Sequence, residues 1–253
     1  MGATLQLGRI TPKIPNLKNL IVAACSGNLF LRDVAAQTVQ MYIRGHVNVH
    51  LEGDARGMKL SHYMSDFDAV LGSAKGKKKP ILFGYSHAGY FATSYALGNQ
   101  EKIGGLILME PALYTPKEEL LNRANLASKG QGAQAIEAMI HFTDPKIGRN
   151  KLALAKTSEA IMKDMASNDL LAEEFRIRAE HPIVEEQLKG LNVPTFLIGG
   201  TASGAAYMVE RAARVIPKAS VLWIRGATHL DLIGGEFATQ VGAAINACLN
   251  QLD

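Results

Sequence analysis

Six short apolar runs punctuate the chain: Leu20 to Ala24, Val47 to Leu51, Pro80 to Phe83, Gly105 to Met109, Pro194 to Ile198 and Ser220 to Ile224. Stretches with helical spacing separate them. Runs of this kind suit strands covered on both faces, and such strands belong to parallel sheets whose crossovers are helices. The alternation therefore predicts an α/β fold with a mostly parallel central sheet flanked by helices. Each run ends in a loop rich in Gly, Ser, Asp or Glu. The carboxyl ends of strands in an open parallel sheet share one rim, so these loops should converge on one crevice. Ser86, Glu110, Ser203 and His229 all stand just past such ends.

Between Tyr114 and Leu191 the strand signal stops. Helical patterns take over at Lys117 to Leu126, Ala133 to His141, Lys151 to Met165 and Asn168 to Ala179, separated by breakers at Gly130, Gly132, Pro145, Gly148 and Pro182. One crossover needs only one helix, so four between two strands predict a helical cap over the crevice rather than an ordinary connection. The expected organisation is an α/β core in two parts, residues 1–113 and 192–253, with the cap at 114–191.

Composition sets the outer bounds. With 253 residues, 47% hydrophobic and 20% charged, the chain can bury a full core. Met1 to Ile10 lack the long apolar block of a leader, no run is long enough to cross a bilayer, and Gln6 stands where myristoylation requires Ser or Thr. The expectation is a cytoplasmic protein without a membrane partner. Cys25 and Cys248 are the two cysteines, far apart and without metal-type spacing, so neither a disulfide framework nor a metal site is expected. The net charge of +4 owes much to Lys75, Lys77, Lys78 and Lys79. That compact run lacks the spread or interleaved aromatics of a nucleic-acid surface and reads as a solvated loop, so no nucleic-acid partner is expected.

The most specific motif is Ile81-Leu82-Phe83-Gly84-Tyr85-Ser86-His87-Ala88-Gly89-Tyr90. It reads as a strand, a sharp turn bearing a serine, and a helix start, which is the pattern of a nucleophile elbow. Small residues at Gly84, Ala88 and Gly89 allow the backbone to double back and hold Ser86 above the sheet. Ala88 stands where the motif most often has glycine.

With these motifs in order, nearly the full length of the chain resembles the α/β-hydrolase superfamily. Ser26-Gly27-Asn28 after the first strand is similar to the family's oxyanion loop, with Ser26 in place of the usual histidine. Gly53 to Ser61, containing Asp54, Arg56 and Gly57, resembles its Asp-x-Arg-Gly loop, and Gly226-Ala227-Thr228-His229 its Gly-x-x-His loop. The resemblance implies Ser86 as nucleophile and His229 as its base, with the backbone N–H groups of His87 and Asn28 forming the oxyanion hole. The other histidines have plainer readings. His46 and His50 flank a strand, His62 begins a helix, His141 and His181 fall in the cap, and the His87 imidazole should diverge from Ser86 toward cap or substrate.

One position departs from the family pattern. The acid usually follows the penultimate strand, and here Gly199-Gly200-Thr201-Ala202-Ser203-Gly204 puts Ser203 in its place. Some superfamily members draw the acid from the strand after the elbow helix, which here ends in Glu110-Pro111. A glutamate at an apolar strand end, beneath a cap, is costly unless paired, so Glu110 is the expected partner of His229. Asp231, two residues past His229, is the competing acid, with helix capping as its plainer role, and Asp54 is a further candidate. Cys25 reads as a core thiol rather than a rival nucleophile.

These readings converge on a cofactor-independent, metal-independent serine hydrolase acting on an ester, thioester or related acyl bond of a small, apolar substrate. The same scaffold also carries lyases, acyltransferases and other non-hydrolytic biosynthetic enzymes, as well as ligand-binding sensors, so these remain alternatives.

Overall fold

A computed structural model describes residues 20–24, 40–42, 55–73, 79–164, 167–233 and 235–252. Six strands form one sheet: β1 (Leu20–Ala24), β2 (Gln40–Tyr42), β3 (Ile81–Tyr85), β4 (Gly105–Met109), β5 (Thr195–Gly200) and β6 (Ala219–Ile224). Their order is β2-β1-β3-β4-β5-β6, and every pairing is parallel. The chain steps from β1 outward to β2 and resumes at β3 on the other side of β1. That reversal opens a crevice at the carboxyl ends of β1 and β3, the usual place for a ligand in such a sheet.

The expected runs at 20–24 and 105–109 coincide with β1 and β4, and three others sit within two residues of β3, β5 and β6. The run Val47 to Leu51 lies outside the described residues, as do Cys25, Asn28 and Asp54. The short strand β2 carries no apolar run. Its backbone hydrogen bonds to β1 define it, and pairing of that kind leaves no periodic signal in three residues.

Alternation along the central strands builds two cores. Leu82, Leu106, Leu108 and Leu197 face one, which α1 (Leu60–Ser73) and α2 (His87–Gly98) cover with Tyr63, Phe67, Phe91 and Tyr95. Ile81, Phe83, Tyr85, Ile107, Met109, Phe196 and Ile198 face the other, beneath the carboxyl-terminal helix with Val241, Ile245 and Cys248. Burial on both faces explains why the runs read as continuous rather than alternating. Burial also pushes the Cys248 thiol up to about 12, so it stays protonated.

Between β4 and β5 lie α3 (Lys117–Ser128), α4 (Gly132–Thr143), α5 (Pro145–Gly148), α6 (Lys151–Asp164), α7 (Asn168–Glu180) and α8 (Glu185–Lys189). Pro145 starts α5 rather than merely breaking a helix, because Pro at the first helical turn sacrifices no hydrogen bond and Asp144 caps the Ile147 amide at 3.1 Å. This insertion has its own core, with Leu120, Ile136, Ile140, Leu171 and Phe175 at its centre. No helix among the described residues is long and apolar enough to cross a membrane.

The elbow depends on one close approach. A Cβ on Gly84 would stand 2.7 Å from the Gly89 Cα, and a Cβ on Gly89 would stand 2.6 Å from the Pro111 Cβ. Strand β3, helix α2 and the turn after β4 therefore touch backbone to backbone. Ala88 is fully buried in the first core, where a methyl is accommodated. Gly89→Ala is expected to destabilise the protein by about 1–3 kcal/mol, through overpacking that neither backbone can relieve. Gly98→Ala, where a new Cβ meets nothing within 4 Å, should be neutral or mildly stabilising. Urea denaturation of the two variants checks the contrast.

Candidate active site

Ser86 stands between β3 and α2 with φ 50° and ψ −117°, a conformation that L residues avoid and that costs on the order of 1–3 kcal/mol. Its backbone is held on both sides. The Ser86 amide donates to the Met109 carbonyl at 2.9 Å, and the Ser86 carbonyl accepts from Gly89 at 3.0 Å and Ala112 at 2.9 Å. The side chain is thereby aimed off the end of the sheet. Among the described residues, the one other non-glycine with positive φ is Glu110, at 42°. It follows β4 directly, and its amide donates to the Ile198 carbonyl at 2.9 Å before the chain turns away.

These two strained residues meet at one imidazole. His229 Nδ1 donates to Glu110 Oε2 at 2.5 Å, and the Ser86 hydroxyl donates to His229 Nε2 at 2.9 Å. A carboxylate only accepts, so the proton belongs on Nδ1, leaving the Nε2 lone pair facing the serine. Tyr85 fixes the ring from below. It stacks on His229 with centroids 4.8 Å apart, and its hydroxyl donates to the His229 carbonyl at 2.9 Å. Burial raises the Tyr85 phenol well above its ordinary range, with Glu110 and Asp144 adding to the effect, so it remains a donor.

Glu110 is 1% exposed, and its carboxylate is fully engaged. Oε1 accepts from the Gly200 amide at 2.8 Å, and Oε2 accepts from the Ser203 hydroxyl at 2.7 Å as well as from His229. The residue in the usual acid position therefore supports the acid on the neighbouring strand. No hydrogen bond joins Asp231 to the ring. Its Oδ2 accepts from the Thr228 amide at 3.0 Å, so it stiffens the loop before His229 rather than capping the helix after it.

Polar ties reach this rim from the helical insertion at two places. Asp144, fully buried, accepts a hydrogen bond from the Thr228 hydroxyl, and the Gly204 amide donates to Thr143 O at 3.1 Å. Asp144 is legible in the sequence as a helix start before Pro145, but its pairing with a residue 84 positions away is not. The second place is His87, whose imidazole turns toward α7. Arg178 Nη1 donates to His87 Nδ1 at 2.9 Å, and His87 Nε2 lies 3.0 Å from Glu174 Oε2. Arg178 also donates to the Ala112 carbonyl at 3.0 Å and the Thr115 hydroxyl at 2.9 Å, and Tyr63 donates to Glu174 at 3.0 Å. The His87 amide occupies the first position of α2, immediately after the serine.

Above Ser86 and His229 lies a cavity of about 1000 Å³, its upper walls supplied by the insertion, including Ile136, Met139, Ile140, Leu171 and Phe175. Among the described residues, no group of three or more His, Cys, Asp or Glu is arranged to hold a metal ion.

No family model matches the chain, and no curated protein matches it. Solved structures do. A thermophilic esterase from Thermogutta terrifontis superimposes with TM-score 0.70 at 22% identity, covering 92% of this chain and 89% of that one. MenH from S. aureus gives TM-score 0.68 at 18% identity, covering 92% and 95%. The enol-lactonase from Burkholderia xenovorans LB400 gives TM-score 0.66 at 13% identity, covering 92% and 90%. The chain has the α/β-hydrolase fold.

The short bond between His229 Nδ1 and Glu110 predicts a strongly deshielded imidazole proton in the ¹H NMR spectrum. Replacing Glu110 by Gln should abolish that resonance, and Ser203→Ala should shift it by removing one of the two donors that share Oε2. Asp231→Asn should leave it in place.

Proposed function

We propose that the protein is a serine hydrolase that cleaves an ester, thioester or related acyl bond of a small, largely apolar substrate. The observation that carries this reading is the unbroken chain of hydrogen bonds from Ser86 through His229 to Glu110, set at the floor of the cavity. A serine hydroxyl is a poor nucleophile unless a base takes its proton as the bond to carbon forms, and Nε2 of His229 is placed to do so.

In the first half-reaction Ser86 Oγ attacks the carbonyl carbon while its proton passes to His229. Glu110 stabilises the resulting imidazolium and keeps the ring turned toward the serine. The His87 amide donates to the developing oxyanion, and the Asn28 amide is the proposed second donor. Collapse of the tetrahedral intermediate breaks the bond to the leaving group, which takes the proton from His229. Water then repeats the sequence on the acyl-enzyme, giving up a proton to His229 and releasing the acid and the Ser86 hydroxyl. No cofactor or metal takes part.

Residues 114–191 act in this scheme as a cap that shapes the cavity and excludes water from the acyl group. Its separate core and its contribution to the cavity walls support that role. The esterases among the solved structures of this fold are consistent with the proposed chemistry.

A fluorophosphonate probe should label the protein stoichiometrically at Ser86, and Ser86→Ala should remove both the labelling and turnover of short-chain p-nitrophenyl esters while leaving the fold intact. Glu110→Gln is expected to lower the acylation rate by about 10³–10⁴, the scale of losing a triad acid. Labelling without hydrolysis of any acyl donor would point to transfer or lyase chemistry. Absence of labelling would point to a ligand-binding protein and overturn the proposal.

A further inference from the structure

Two arginines of the insertion line the cavity, and they are treated very differently. Arg178 is a strut, with donors placed on Ala112, Thr115 and His87. Arg123, on α3, is 6% exposed, yet among the described residues its one hydrogen-bonded partner is Glu119, a turn back on the same helix with a side chain 44% exposed. Its buried Nε has no hydrogen-bond partner. A half-solvated pair at this helical spacing stabilises a helix by only a few tenths of a kcal/mol. That does not account for placing a guanidinium in a wall of Ile136, Leu171 and Phe175, where desolvation costs several kcal/mol.

Resting on the hydrolase reading above, we infer that Arg123 anchors a carboxylate at the far end of the acyl group, so that the substrates are acyl compounds with an anionic tail. The guanidinium Cζ lies 6.0 Å from the Phe175 ring centroid, and that ring stands 6.1 Å from the imidazole of His87, the residue after Ser86. One phenyl ring thus separates the charge from the elbow helix, and a short chain lying along Phe175 spans the gap. The planar fork of an arginine fits a carboxylate with two parallel hydrogen bonds. Glu119 and Tyr207 also line this part of the cavity. Glu119 is the resident counter-ion, exposed enough to swing outward when a substrate carboxylate takes its place. The Tyr207 phenol, a donor at neutral pH like any tyrosine, interacts electrostatically with both Glu119 and Arg123 and supplies a second hydroxyl donor there.

The test compares the p-nitrophenyl monoester of a short dicarboxylic acid with the p-nitrophenyl ester of the monocarboxylic acid of equal chain length. The wild-type protein should prefer the anionic ester in kcat/KM. Arg123→Met should lower kcat/KM for that ester at least about tenfold, mainly through KM, and change the neutral one by less than about twofold. Arg123→Lys should fall between, Glu119→Gln should lower KM for the anionic ester, and Lys156→Ala, on the same cavity lining, should leave the preference intact. No wild-type preference, or equal losses on both esters in Arg123→Met and Arg123→Lys, would overturn the anchor. Calorimetry of Ser86→Ala protein with the monoamide of the same dicarboxylic acid separates the two readings. Binding that disappears with Arg123→Met, in a protein that turns over neither ester, sinks the hydrolase reading and retains the anchor. Turnover of the neutral ester with no Arg123-dependent binding sinks the anchor alone.

Discussion

A carboxylate with almost no access to water organises the rim of this sheet. Glu110 would cost several kcal/mol to bury as an isolated charge, and the structure meets that cost with three donors, one at a strand end and two in loops. Gly200 lies at the end of β5, Ser203 in the loop after it, and His229 in the loop after β6. The carboxylate therefore adds a side-chain tie among the ends of three neighbouring strands, β4, β5 and β6. β4 and β5 are neighbours, with Met109 opposite Ile198, so groups that follow β5 reach the Glu110 carboxylate at the end of β4. With the acid on β4, a hydroxyl at position 203 becomes a supporting donor, whereas a second carboxylate there would repel the first.

The strain at the site is concentrated at Ser86 and Glu110, which have the positive φ values among described non-glycine residues. Both sit one residue beyond adjacent strands, where the chain must leave the sheet abruptly for its side chain to project over the rim. Close backbone packing among Gly84, Gly89 and Pro111, and the bonds from Ser86 to Met109, Gly89 and Ala112, hold these conformations in place. A side chain at Gly84 would force the elbow helix away from the strand, and one at Gly89 would force it away from Pro111 in the turn after β4. The small residues thus act at a distance from any chemistry, by permitting the approach that aims the serine.

The insertion and the rim form one mechanical unit. Thr143 and Asp144 at the end of α4 hold the loops bearing Ser203 and His229, while Arg178 and Glu174 on α7 hold the imidazole of His87 and the turn after β4. The helices that wall the cavity therefore also position the residues at its floor. A change in how they pack would reach both the shape of the cavity and the orientation of the imidazole.

Local sequence was enough to determine the strand runs at 20–24 and 105–109, the four longer helices of the insertion to within two residues, though not the short helices Pro145–Gly148 and Glu185–Lys189, and the turn that exposes Ser86. Each of these is set by periodicity, by breakers or by small residues within one window of the chain. Glu110 could be favoured from sequence because an acid at an apolar strand end demands a partner, but Asp231 remained open, since both lie on loops that reach the same rim. Only the tertiary structure decided between their positions, by turning Asp231 back onto the Thr228 amide and Glu110 onto His229. It alone set the supporting role of Ser203, the stacking of Tyr85, the tie from Asp144 to Thr228 and the turn of His87 toward α7. These contacts join residues from tens to more than a hundred positions apart, and no local pattern encodes which distant polar group will satisfy a buried one. Strand β2 was hidden for a related reason: three residues defined by a neighbour's backbone leave no signature in their own side chains.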